Sequence, residues 1–132
     1  MELHVNRAAL TAFRMRSIRR YPKEYGELLY GHSSKRRVRI VEFLQVPFLN
    51  GQAHWWFNPS LLKLKRGRLW FLGSIHSHPD SISCEPSETD WEKAREQPEM
   101  YIGVCAVNPQ TTPKTRVQFF RGVETLLDFK HV

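Results

Sequence analysis

The apolar run Leu69, Trp70, Phe71, Leu72 and Ile75 leads directly into His76-Ser77-His78-Pro79, and no other stretch constrains the fold as strongly. Residues 68–76 are apolar enough to form a strand covered on both faces, which places it inside a sheet rather than at an edge. Side chains alternate along a strand, so His76 and His78 leave the same face and their imidazoles can converge on one ion. Pro79 cannot continue a ladder and turns the chain out of the sheet. The polar stretch Asp80 to Pro86 then returns it to a helix expected over Ser87 to Gln97, where Asp90, one turn in, can supply a third ligand.

Each piece has another reading. A His-x-His pair on a strand also occurs as a surface or hydrogen-bonded pair, and Ser87-Glu88-Thr89-Asp90 reads as a capping box with Ser87 as N-cap. The conjunction of His76, His78, Pro79, Ser87 and Asp90 in one short stretch favours the metal. Two imidazoles and one carboxylate are a set that zinc accepts, and an open fourth tetrahedral position belongs to catalytic rather than structural sites. Copper or nickel also bind paired imidazoles, so zinc rests on availability and hydrolytic chemistry. His4, His32, His54 and His131 stand outside this pattern.

Elsewhere the pattern alternates strand and helix. A strand over Leu3 to Val5 leads through Asn6, a suitable N-cap, into a helix burying Ala9, Leu10 and Phe13, and Pro22 closes it. Tyr25 to Gly31 and Arg37 to Val46 read as paired strands joined by the polar turn at His32 to Lys35. Asn50-Gly51 signals a turn, followed by a strand over Ala53 to Phe57 and a short helix over Leu61 to Lys65 that Gly67 ends. Tyr101 to Val107 is a further buried strand, and Val117 to Arg121 and Thr125 to Phe129 complete a mixed-sheet α/β domain flanked by a few helices.

The length of 132 residues fits one domain, and no apolar stretch is long enough to span a bilayer. The opening Met-Glu-Leu-His-Val does not resemble a secretory signal, so a cytoplasmic location is expected. Cys84 and Cys105 are too far apart for a CxxC knuckle; reduced thiols are the simpler reading, a disulfide the other. The net charge of +7 gathers at Arg14, Arg16, Arg19 and Arg20, at Lys35, Arg36, Arg37 and Arg39, and at Lys63, Lys65, Arg66 and Arg68. Such clusters suit a polyanion or are simply solvated faces. No helix-turn-helix, zinc-finger or RNA-binding signature accompanies them, so nucleic acid is not the expected partner. A nucleobase deaminase would need HxE and PCxxC, and neither is present.

His76, His78, Pro79, Ser87 and Asp90, in the order HxHP, seven residues, SxxD, resemble the signature of the JAMM (MPN+) metalloproteases. Upstream, Glu24-Tyr25-Gly26-Glu27-Leu28-Leu29-Tyr30-Gly31 is similar to the family's Glu-x-x-Gly-x-Leu-x-Gly segment, with Glu24, Leu29 and Gly31 at matching positions. Glu27 stands where the pattern has its first glycine, and with Gly26 just before it a small backbone shift is expected near Glu24. The resemblance covers the chain from Glu24 to the turn at Pro109. It implies the JAMM/MPN (cytidine-deaminase-like) fold, zinc held by His76, His78 and Asp90, Glu24 as general base and then acid, and Ser87 as oxyanion donor. It further implies cleavage of peptide or isopeptide bonds at the C-terminus of a ubiquitin-like protein, with modifier-activating and modifier-conjugating enzymes as associates. Trp55, Trp56 and Phe57 then offer a surface for the modifier tail, or pack as ordinary core. A metal-free scaffold of the same fold is the competing class, although such relatives lack ligands that are present here.

Overall fold

The computed structural model describes residues 2–45, 65–122 and 126–132. In chain order these form β1 (Glu2–Val5), α1 (Arg7–Arg20), β2 (Gly26–Ser33), β3 (Arg37–Gln45), β4 (Lys65–Arg66), β5 (Leu69–Pro79), α2 (Glu88–Glu96), β6 (Tyr101–Val107), β7 (Thr115–Arg121), β8 (Leu126–Leu127) and β9 (Phe129–His131). The strands make one mixed sheet in the order β8-β7-β6-β5-β2-β3-β1-β9, with β4 hairpinned onto β5. Strand β5 runs antiparallel to β2 and parallel to β6. It is buried from Phe71 to Ser77, as its apolar run requires.

A helix covers each face. Asn6 caps α1, its side chain accepting a hydrogen bond from the Ala9 N–H at 2.9 Å. Leu10 and Phe13 are buried on the sheet with Leu3, Val5, Leu29, Val38, Ile40 and Ile75. On the other face Ala94 of α2 packs among Leu28, Tyr30, Phe71, Ile102, Val104 and Phe120. The two cores follow from strand parity. Leu29 and Ile75 face α1 while Leu28 and Val104 face α2, so one face carries an apolar core alone and the other shares its core with the histidines.

Glu27 departs from that division. It is fully buried on the α1 face, where Arg16 grips it with Nε at 2.5 Å and Nη2 at 2.8 Å, and the Tyr25 hydroxyl donates to it as well. The Tyr25 ring in turn stacks on Phe13 at 5.8 Å between centroids. The ladder between β2 and β5 stays regular from Gly26 to Leu29, so a carboxylate in place of glycine at residue 27 causes no bulge within it. The irregularities come later, between Leu29 and Tyr30 against β5 and between Tyr30 and Gly31 against β3. At that bulge a Cβ on Gly31 would lie 1.8 Å from the Arg39 carbonyl oxygen, so only glycine fits.

Three sequence expectations change. Lys65 is strand rather than the end of a helix, and Gly67, at φ 59°, turns the β4–β5 hairpin instead of stopping a helix. The single C-terminal strand divides, β8 pairing with β7 and β9 with β1. His32 and Ser33 extend β2, so the connection to β3 is shorter than expected. The expected strand at Ala53 to Phe57, the turn at Asn50 and Gly51 and the rest of the Leu61 helix lie outside the described residues.

A buried carboxylate is tolerated only while its partners are in place, and removing one side of such a pair strands the other. Glu27→Ala should therefore lower the unfolding free energy by about 3–5 kcal/mol, read from urea denaturation, and a loss below about 1 kcal/mol would place Arg16 and Tyr25 in water rather than on Glu27.

Candidate metal centre

The centre sits where β5 leaves the sheet. His76 and His78 share the α2 face, as alternation requires, with ring centroids 4.8 Å apart. Pro79 ends the strand, and Asp80 takes a left-handed φ of 63°, a conformation that a short polar side chain tolerates. Its N–H donates to the Val107 carbonyl at 2.7 Å and its carboxylate accepts the Tyr21 hydroxyl. The loop is thus tied to β6 and to the end of α1 before it reaches α2.

At α2 the two readings of Ser87 to Asp90 are both realised. Ser87 Oγ accepts the Asp90 N–H at 3.2 Å, and the Asp90 carboxylate accepts the Ser87 N–H at 2.8 Å, which is a reciprocal capping box. That same carboxylate lies 3.1 Å from His76 Nε2 and 3.3 Å from His78 Nε2, and the two Nε2 atoms are 3.0 Å apart. Tetrahedral coordination with bonds near 2.0–2.1 Å needs ligand atoms about 3.3 Å from one another. The triangle therefore has the size of one face of a tetrahedron around a small dication, and His76, His78 and Asp90 form a group able to hold a metal ion. Burial pushes the Asp90 carboxyl upward, but the His76 charge and hydrogen bonds from His76, His78 and the Ser87 backbone outweigh it and hold the carboxyl far below the usual range. An ionised carboxylate is the form that ligates.

Glu24 stands two residues before the start of the β2–β5 ladder. Gly26 pairs with His76, and Tyr25 faces Ser77 through Ser77 N to Tyr25 O at 2.7 Å and Tyr25 N to Ser77 Oγ at 2.8 Å. Continued by two residues, this register would set Glu24 opposite His78, and the Glu24 charge reaches Lys93 on α2. Glu24 is half-buried and does not belong to the ligand triangle.

Sequence reasoning passed over Lys93. It follows Asp90 by three residues, so both lie on one side of α2. Burial lowers its pKa, against the opposing charges of Asp90, Glu24 and Glu96. The i, i+3 spacing from Asp90 was the available signal. Neither cysteine is disulfide-bonded: Cys105 is buried, and burial pushes its thiol up to about 12, while Cys84 is half-buried, its Sγ 3.1 Å from the Arg116 carbonyl. A groove of about 640 Å³, bordered by Ile82, Cys84, Trp91, Arg116 and Phe120, adjoins the loop between His78 and Ser87.

A three-layer mixed sheet that presents two strand histidines and a helix aspartate at one end defines a JAB/MPN-type domain. The chain belongs to the prokaryotic homologs of the JAB domain, whose family model matches residues 6–121. Its structure is similar to that of a JAB1/MPN domain protein from Archaeoglobus fulgidus, at 21% identity and TM-score 0.64, covering 100% of this chain and 99% of that one. It is also similar to a protein from Desulfitobacterium hafniense, at 16% identity and TM-score 0.73, covering 98% and 94%. A third similar structure is described as a metalloprotease-like zinc site in the proteasome and signalosome, at 19% identity and TM-score 0.64, covering 100% and 99%. No curated protein matches in sequence. Among the described residues, no helix is long and apolar enough to cross a membrane.

Asp90→Asn separates the two duties of that side chain. The amide can still accept the Ser87 N–H and cap α2, but it is a poor ligand for a dication. Zinc affinity, measured by competition with a chelator, should fall by more than the roughly 10- to 100-fold that loss of an outer-shell partner costs, while the helical circular dichroism stays unchanged. Unaltered affinity would remove Asp90 from the ligand set.

Proposed function

We propose that this chain is a zinc-dependent hydrolase that cleaves a peptide or isopeptide bond at the C-terminus of a ubiquitin-like protein, with Glu24 and Ser87 as its catalytic side chains. The observation that carries the reading is the triangle of His76, His78 and Asp90, the three groups able to hold one ion. Three protein ligands leave a coordination position open, which is the arrangement of catalytic zinc. When bound, the ion supplies Lewis acidity toward a water and toward the scissile carbonyl.

The protein groups supply the rest. Glu24 accepts the proton lost by the attacking water and returns it to the departing amine, acting as base and then as acid. Glu24 stands outside the ligand group, as a base and acid that shuttles a proton must. Ser87 Oγ spends a lone pair on the Asp90 N–H, so its own O–H remains available to donate to oxygen developing negative charge on the substrate. The family's known substrates and the compact connections around α2 support a modifier tail as the substrate, with its conjugating machinery as partners in the cytoplasm.

The test uses zinc-loaded protein and ubiquitin-like proteins carrying either a C-terminal extension or a lysine conjugate. Wild type should cleave, and Glu24→Gln should retain one zinc per chain without turnover. Ser87→Ala should turn over about 10²- to 10³-fold more slowly, with a further stability loss of about 1 kcal/mol for the missing cap. Equal turnover by Glu24→Gln would overturn its assignment. Zinc-loaded wild type that cleaves none of these substrates would leave the domain as a scaffold.

A further inference from the structure

The α1 face, across the sheet from the histidines, carries a second feature that the hydrolytic reading does not use. At the C-terminal end of α1, Arg16, Arg19, Arg20, Tyr25 and Gln45 line a cleft of about 170 Å³. We propose that this cleft is an anion site that takes the phosphate group of a small ligand.

The wall is built rather than incidental. Helix α1 has no acidic residue to balance its arginines. Arg16 is anchored at the back of the cleft by two hydrogen bonds to the fully buried Glu27, which also accepts the Tyr25 hydroxyl. An ion pair with one member wholly buried is costly to assemble, and its effect here is to hold one guanidinium edge and one aromatic ring in fixed positions. The Arg20 guanidinium lies 5.6 Å from the centre of the Tyr25 ring, which orients it beside Arg16. Gln45 comes from the same side of the sheet, since it pairs with Glu27 in the β2–β3 ladder.

Charge sets the ligand class. Arg16 and Glu27 cancel, and among the described residues no carboxylate pairs with Arg19 or Arg20, so the cleft is left with about two positive charges. A phosphate monoester carries about −1.5 to −2 at neutral pH and three acceptor oxygens, which matches several converging guanidinium groups better than a single carboxylate does. The volume is that of roughly six waters at liquid density, enough for one tetrahedral oxyanion with some hydration. Two arginines in a last helical turn also suit the helix dipole, but that role requires neither a cleft nor a buried anchor.

Inorganic phosphate, adenosine 5′-monophosphate and adenosine are the probes, titrated into the full chain without metal and followed by ¹H–¹⁵N chemical shifts. Phosphate and the monophosphate should saturate with shifts confined to Arg16, Arg19, Arg20, Tyr25 and Gln45, and adenosine should give none. A tighter monophosphate than phosphate identifies a ligand that presents its phosphate on a larger body, and equal affinities identify free phosphate; both support the site. The double variant Arg19→Ala/Arg20→Ala, altered only at exposed helix-end positions, should bind about tenfold more weakly or worse, as loss of a charge-assisted hydrogen bond implies. The matched Arg36→Ala/Arg37→Ala variant should bind like wild type. Absence of saturation at millimolar phosphate, or equal weakening by the two double variants, would overturn the proposal, the second by showing diffuse attraction to net charge.

Discussion

The antiparallel register of β2 on β5 is the constraint on which the metal centre depends. Gly26 lies opposite His76, and the hydrogen bonds between Tyr25 and Ser77 fix that alignment between the two histidines and direct Glu24 toward them. A slip of one residue would move Glu24 to the other face of the sheet, because side-chain parity has period two. The buried Glu27 makes such a slip expensive. On the α1 face it meets Arg16 and Tyr25, whereas on the α2 face it would meet the apolar cluster around Leu28 and Val104. A buried ion pair adds little net stability, and setting register is its best-attested use.

The second constraint is that Asp90 caps a helix while belonging to a group able to hold an ion. Its carboxylate accepts the Ser87 N–H and faces both histidines, so α2 cannot move without disturbing the triangle. The capping box positions the ligand before any ion arrives, which limits the ordering cost of binding. This also explains why Ser87 cannot be judged by its hydrogen bond to Asp90 alone. The cap occupies a lone pair of the hydroxyl and leaves its proton uncommitted to Asp90.

Charge is divided between the two faces of the sheet. On the α2 side the ionisable groups converge at one end and are mutually compensating, with Glu24, Lys93 and Asp90 around the histidines. On the α1 side, among the described residues, the arginines at the end of the helix meet one carboxylate, that of Glu27. The net charge of +7 is therefore not a uniform coat, and part of it surrounds a cleft whose back wall is anchored in the core.

Much of this was legible in the residues themselves. Period-two alternation put His76 and His78 on one face, the apolar run of β5 made it a central strand, Asn6 and Ser87 marked their helix starts, and Tyr101 to Val107 formed a strand with the expected bounds. Local signals decide such features because they depend only on side-chain spacing and on backbone groups a few residues apart. The capping box and the ligand set looked like rival readings of Ser87 to Asp90, since nothing local says that one carboxylate can serve both; only packing α2 over the end of β5 brings its oxygens within 3.3 Å of both imidazoles. Glu27 read as a disturbance of a glycine position, and its partner lies eleven residues earlier on a helix across the core. Lys93 was passed over for the same reason, as was the division of the last strand between opposite ends of the sheet. The sequence alone determined which residues could ligate and where its elements begin. The tertiary structure decided which charges meet, because the Coulomb and hydrogen-bond partners of a buried group are set by distance in space rather than along the chain.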